Sequence, residues 1–166
     1  MTNNGFSVNP RGEREILITR TFNAPPEMVW DAMTKPEHLR RWLLGPPGWT
    51  ATACEDDTRV GGAYRMAWQG PNGEAMSMSG VYRECTHPSR IVRTESFDFG
   101  CAPQAGEQVA TLELTNRGDD LTDLRISVVY PSREARDATI KSGMEHGVRA
   151  SYDRLDDILA SVAAKA

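Results

Sequence analysis

Arg93 and Glu95 are the polar residues whose types and spacing say most about chemistry. They stand two apart in residues 90–97, a segment otherwise rich in Ile91, Val92 and Phe97 that reads as a β-strand. Residues two apart on a strand share a face. If that face is the inner one, the guanidinium and the carboxylate must pair with each other or with a ligand, because a lone buried charge is costly. A ligand carboxylate would suit Arg93, and a hydroxyl or amine would suit Glu95. On a solvated face the two would form a simple structural pair. Nearby strands supply apolar company. Alternation puts Tyr64, Met66 and Trp68 on one face of their strand, and Met76, Met78, Gly80 and Tyr82 on one face of the next. Methionine repacks easily and aromatic rings offer broad contact, so such a wall suits an adaptable ligand pocket. Any one of these residues reads equally well as core packing.

Other chemistries find little support. His38, His87 and His146 lack the i, i+4 spacing of metal ligands, and each reads as a surface residue. Cys54 precedes Glu55 and Asp56, which disfavours a thiolate. No serine or cysteine stands in a recognisable nucleophile motif. Gly61-Gly62 is no phosphate loop, since no helix follows; it reads as a place where a strand bends.

These faces need elements to hold them. Residues 13–22 read as a strand rich in Ile and Thr. Asn23-Ala24-Pro25-Pro26 leads into a helix with Val29, Trp30 and Met33 on its apolar face; it ends at Thr34-Lys35-Pro36, and a short second helix spans 37–42. Gly45-Pro46-Pro47-Gly48 reads as a rigid loop. Strands are expected over 50–55, 60–69, 75–84, 90–97, 109–115 and 121–130, with an Asn-Gly hairpin turn at Pro71-Asn72-Gly73 and a longer loop over 100–106. Ser132 caps a helix that Ser142-Gly143 kinks or breaks. Met144, Val148, Ser151, Leu155, Ile158, Leu159 and Val162 then form the apolar stripe of a long helix. Short turns between successive strands favour an antiparallel sheet, and the last helix needs a curved sheet to cover its stripe. The fold expected is therefore α+β. Met144, Gly147 and Val148 would close the pocket, with Gly143 and Gly147 either thinning the helix to leave room or allowing a kink and close packing.

The chain has 166 residues, 39% hydrophobic and 25% charged, a composition suited to one globular domain. A net charge of −4 offers no basic stripe for nucleic acid. No segment is long and apolar enough to span a bilayer. Residues 1–12 are polar, carry no signal-peptide core and read as a flexible arm. Cys54, Cys85 and Cys101 are too few and too widely spaced for a disulfide framework, and read as reduced thiols of a cytoplasmic protein.

Several short motifs, in order, resemble a known family. Ile18-Thr19-Arg20-Thr21-Phe22-Asn23-Ala24-Pro25, Val29-Trp30, Thr34-Lys35-Pro36-Glu37-His38-Leu39 and Trp42 match the opening of the domain similar to the activator of heat-shock-protein-90 ATPase. That family lies within the START and birch-pollen-allergen-like superfamily, SRPBCC. Gly45-Pro46, Val60-Gly61-Gly62-Ala63-Tyr64, Gly80-Val81-Tyr82-Arg83-Glu84, Pro88-Ser89-Arg90-Ile91-Val92, Tyr130-Pro131-Ser132, Gly143-Met144-Glu145 and Tyr152-Asp153-Arg154-Leu155 continue it. The resemblance spans about residues 13–159. It implies a helix-grip fold, a curved antiparallel sheet around a long C-terminal helix with two short helices after the first strand, in a single domain over 13–162. It also implies a cavity between sheet and helix, with Trp42 at its mouth. Leu43 and Leu44 stand where many relatives have a second Trp before Gly-Pro. Fold does not dictate function. The leading expectation is a module that binds a small hydrophobic or amphipathic molecule with no cofactor. The alternatives are a cyclase- or hydrolase-like enzyme using Arg93, Glu95 and a Tyr, and a stress-response factor touching a chaperone. Homodimerisation through the outer sheet face is left open.

Overall fold

The computed structural model describes residues 5–44, 48–98 and 106–165; most of the Gly-Pro loop, the 100–106 loop up to Ala105, and Cys101 fall outside them. Strand β1 (Ser7–Arg11) and β2 (Glu15–Phe22) are followed by α1 (Pro26–Thr34) and α2 (Pro36–Trp42). Then come β3 (Thr50–Asp56), β4 (Ala63–Gln69), β5 (Ala75–Thr86), β6 (Arg90–Asp98), β7 (Gln108–Gly118) and β8 (Leu121–Val129). Helices α3 (Arg133–Lys141) and α4 (Met144–Lys165) complete the chain. The strands form one eight-stranded sheet in the order β1-β2-β8-β7-β6-β5-β4-β3. Every neighbouring pair is antiparallel. The sheet curves without closing, and this is the helix-grip α+β architecture.

Alternation decides which face is inner. In β2, Ile16, Ile18, Arg20 and Phe22 are buried while the residues between them are only half-buried. In β4 the inner set is Tyr64, Met66 and Trp68; in β5 it includes Met78 and Tyr82. Gly80 lies between those two, and only a residue without Cβ fits there, because a Cβ would stand 1.9 Å from the Thr94 carbonyl oxygen. The register of β5 against β6 shifts just beyond, between Tyr82 and Glu84, and that of β3 against β4 shifts between Ala51 and Ala53. Such bulges add bend to a sheet.

Helix α4 covers the inner face with the expected stripe: Leu155 is fully buried, with Ser151, Tyr152, Ile158 and Leu159 beside it. The Tyr152 ring meets Phe22 edge-on at 5.5 Å. Buried Arg20 reaches Asp153 at 2.9 Å and also Asp156, tying α4 to β2. Proline in the first turn starts both α1 and α2. The Trp42 indole donates to the Ala32 carbonyl at 2.8 Å and locks these helices together. Ser132 caps α3 by accepting from the Ala135 amide, and Gly143, at φ +81°, separates α3 from α4.

Two expectations differ from what is observed. Residues 7–11, read as part of a flexible arm, form an edge strand in register with β2. Its local sequence is polar with one proline; long-range contacts hold it instead. Phe6 lies under the Arg149 guanidinium at 4.6 Å, and Arg136 donates to the Glu15 carbonyl at 3.0 Å, clasping the turn between β1 and β2. The strand expected from residue 60 begins at Ala63. Gly61 turns at φ +83°, and Gly62 packs so closely that a Cβ would stand 2.0 Å from the Asp57 oxygen. The Gly61 amide donates to the Tyr82 carbonyl, and Gly62 accepts from the Tyr82 amide, so the pair forms a turn stitched to β5.

Candidate functional site

Arg93 and Glu95 sit on the inner side of β6, in register with the inner residues of its neighbours: Arg93 lies opposite Tyr82 of β5 and Glu95 opposite Gln108 of β7. They pair with each other. Arg93 Nε and Nη2 donate to Glu95 Oε2 at 3.2 and 3.1 Å, and Gln108 Nε2 donates to Glu95 Oε1 at 2.8 Å. The guanidinium lies over the Tyr64 ring, 4.3 Å from its centre. Burial pulls the Arg93 ionisation down, but Glu95, Tyr64 and Tyr82 more than reverse it, so the guanidinium stays charged. Asp56, at the end of β3, extends the cluster by accepting from the Tyr82 hydroxyl at 2.7 Å and from Thr58 at 2.6 Å. Burial pushes the Asp56 carboxyl up despite these donors. Burial likewise pushes up the phenols of Tyr64 and Tyr82, and the Tyr64 hydroxyl donates to the Thr94 carbonyl at 2.7 Å.

The apolar wall divides in two. Trp42, Met66 and Trp68 are packed core. The Trp68 indole donates to the Leu43 carbonyl at 2.8 Å, and no water-sized space remains among Leu39, Leu43, Cys54, Met66 and Trp68. Cys54 is buried there, and its thiol is pushed up by burial, with Arg40 opposing and Asp56 adding to the effect. Met78 is buried as well, so Tyr64 and Tyr82 are the wall residues in contact with the polar cluster.

Helix α4 supplies the opposite side. Met144 and Val148 lie on the same helical stripe as Leu155, yet they are only half-buried where Leu155 is sealed. Gly147, on the flank of that stripe, is exposed, and a Cβ there would meet nothing within 4 Å. Close packing at Gly147 is thus ruled out, and the kink falls at Gly143. Tyr152, one turn beyond Val148, is 94% buried (6% exposed) and near enough to Glu95, Arg93 and Arg20 for their charges to act on its phenol, which burial pushes up. Tyr130 is also affected by Glu95, and burial pushes its phenol up to about 12.

The arrangement therefore juxtaposes an ion pair, whose side chains keep 22% and 11% exposure, with tyrosines and a loosely covered helix stripe. Asp56, Gln108, Tyr152 and Arg20 are the members not singled out from sequence. Arg20 did carry a signal, as the one charge at a buried parity of β2. On the other face of the sheet a hollow of about 370 Å³ is lined by Gly5, Thr19, Thr21, Thr115, Asp123 and Arg125 among others. Polar groups that line it engage one another, as in Thr21 donating to Asp123 at 2.7 Å, and Arg20 and Leu124 also border it. Among the described residues no helix is long and apolar enough to cross a membrane, and no three His, Cys, Asp or Glu side chains gather as metal ligands.

Known proteins agree with this architecture. Residues 23–160 match the family model described as Activator of Hsp90 ATPase homolog 1-like protein. A crystal structure from Rhodobacter sphaeroides is similar at 32% identity, with a TM-score of 0.85, over 93% of this chain and 98% of that one. A second crystal structure, from Chromobacterium violaceum, is 30% identical with a TM-score of 0.71, over 90% and 97%. A solution structure from Arthrobacter aurescens is 27% identical with a TM-score of 0.80, over 93% and 91%. A search of the curated proteins found no match. With a family model spanning most of its length and relatives that share its sheet and helices, the chain belongs to the Activator of Hsp90 ATPase homolog 1-like family, within the SRPBCC superfamily.

Proposed function

We propose that the protein binds a small amphipathic molecule between the inner face of its sheet and the first turns of α4. The observation that carries this reading is the change of burial along one helical stripe. Leu155, Ile158 and Leu159 are sealed against the sheet, whereas Met144 and Val148 on the same stripe keep partial exposure. An apolar stripe left loose over an inner face that holds an ion pair and tyrosines suits a guest with an apolar body and one polar end.

The test uses Nile red, an uncharged dye whose fluorescence rises in apolar surroundings, and Val148→Trp. The expected result is saturable dye binding by the parent, and a folded variant whose indole occupies the space and abolishes binding. Equal dye binding by both proteins, or a variant unfolded because no room exists beneath α4, overturns the reading. Native mass spectrometry of protein from its own host would then seek the natural molecule.

A further inference from the structure

Around the space just described, each charged side chain already has polar partners. Arg93 is matched by Glu95, which also accepts from Gln108. Arg20 is matched by Asp153 and Asp156. Asp56 accepts from Tyr82 and Thr58. The polar ends of Trp42, Trp68 and Tyr64 are likewise engaged, each donating to a backbone carbonyl.

Tyr152 is different. Its residue is 6% exposed, its ring packs against Phe22 and Trp42, and its hydroxyl has no hydrogen-bond partner among the described residues. The only sealed polar side-chain atoms without a partner among those residues are Nε and Nη1 of Arg20. The Tyr152 hydroxyl, unpartnered but not sealed, therefore touches open space. A hydroxyl in so buried a residue that finds no partner in the protein points to a guest able to supply one.

We propose that the Tyr152 hydroxyl is the group that recognises the ligand's polar end, and that this end is uncharged: a hydroxyl or a carbonyl. The inference rests on the binding reading above. A carboxylate would bring a second anion beside Glu95, and both guanidiniums near it are already matched: Arg93 directs Nε and Nη2 at Glu95, while Arg20 is held by Asp153 and Asp156 with its remaining Nε and Nη1 sealed from any guest. An ammonium would bring a third cation beside the Arg93 and Arg20 guanidiniums, whose charges already act on this hydroxyl. A neutral group asks only for a partner that can donate or accept, and a phenol hydroxyl does both.

The experiment displaces Nile red with three probes that share one ring system: 2-naphthylmethanol, 2-methylnaphthalene and 2-naphthoate. The parent should bind the alcohol about five- to tenfold more tightly than the hydrocarbon, the effect of one neutral hydrogen bond, and more tightly still than the carboxylate. Tyr152→Phe should bind alcohol and hydrocarbon equally, with its affinity for the hydrocarbon unchanged. The variant should also unfold at a temperature no lower than the parent, because the hydroxyl it loses has no partner in the protein. If all three probes displace the dye but 2-naphthoate binds best, or if the alcohol's advantage survives in Tyr152→Phe, the inference fails and the binding reading stands. If Nile red itself does not bind, both fall.

Discussion

Glu95→Leu asks most directly whether the polar cluster is interior. The substitution removes the acceptor of three hydrogen bonds, from Arg93 Nε and Nη2 at 3.2 and 3.1 Å and from Gln108 Nε2 at 2.8 Å. The Arg93 charge is left over the Tyr64 ring with no carboxylate against it. Removing one partner of a buried ion pair costs about 3–5 kcal/mol. Arg93 and Glu95 keep 22% and 11% side-chain exposure, so solvent relieves part of that, and the cost should fall at the lower end, about 3 kcal/mol. Arg93→Met should cost less, about 2 kcal/mol, because Glu95 keeps the hydrogen bond from the Gln108 amide. The double variant replaces both charges with apolar side chains, which for buried pairs is close to neutral. It should cost less than the two single variants added together, by about 2–4 kcal/mol. Urea unfolding followed by Trp fluorescence measures all four proteins, provided their m-values agree. Single-variant costs below about 1 kcal/mol that simply add in the double variant would show a solvated pair, and the reasoning about the site would collapse.

Leu155→Ala, at the fully buried centre of the α4 stripe, should cost about 2–5 kcal/mol; a denaturant midpoint equal to the parent's would show that the stripe does not pack. Gly147→Ala should stabilise by about 0.5–1 kcal/mol, since nothing lies within 4 Å of the added Cβ and alanine is the better helix former. A loss of stability would mean that the helix flank is occupied. Burial holds the Asp56 carboxyl above its ordinary 3.8, so the folded state binds that proton more tightly than the unfolded chain does. The resulting stability is present below pH 3.8 and is lost as pH rises through the raised value. Asp56→Asn escapes that loss, so its unfolding free energy should improve relative to the parent between acid and neutral pH. A difference that stays flat, or runs the other way, would show that Asp56 is not desolvated.

The strands and the long helix were legible because each carries its own periodicity. That Arg93 and Glu95 share a face followed from that same alternation; which face it was stayed open, and pairing between them was one of the outcomes it allowed. Residue type alone could not sort Met66 and Trp68 from Tyr64 and Tyr82. What separates them is the partner each finds across the fold, a carbonyl on Leu43 for Trp68 and a carboxylate on Asp56 for Tyr82. Asp56 was hidden beside Asp57, since adjacent acids look like a turn. Tyr152 was hidden because it flanks the stripe that Leu155 centres. Strand β1 was invisible for a related reason: although it pairs with the neighbouring β2, its anchors, Arg136 and Arg149, lie more than a hundred residues away along the chain.

A sheet that stops short of closure leaves a free row of backbone groups at each end, and such rows can template the addition of another chain. Both ends here are poor templates. The β1 end carries Pro10, which has no N–H to offer, and stops after five residues at Arg11. The β3 end is broken by the register shift between Ala51 and Ala53, and finishes in Glu55 and Asp56. A growing ladder would lose a donor at one end and its regular spacing at the other. The helix-grip shape can therefore keep an open, yielding sheet over its interior without exposing the chain to runaway strand-by-strand polymerisation.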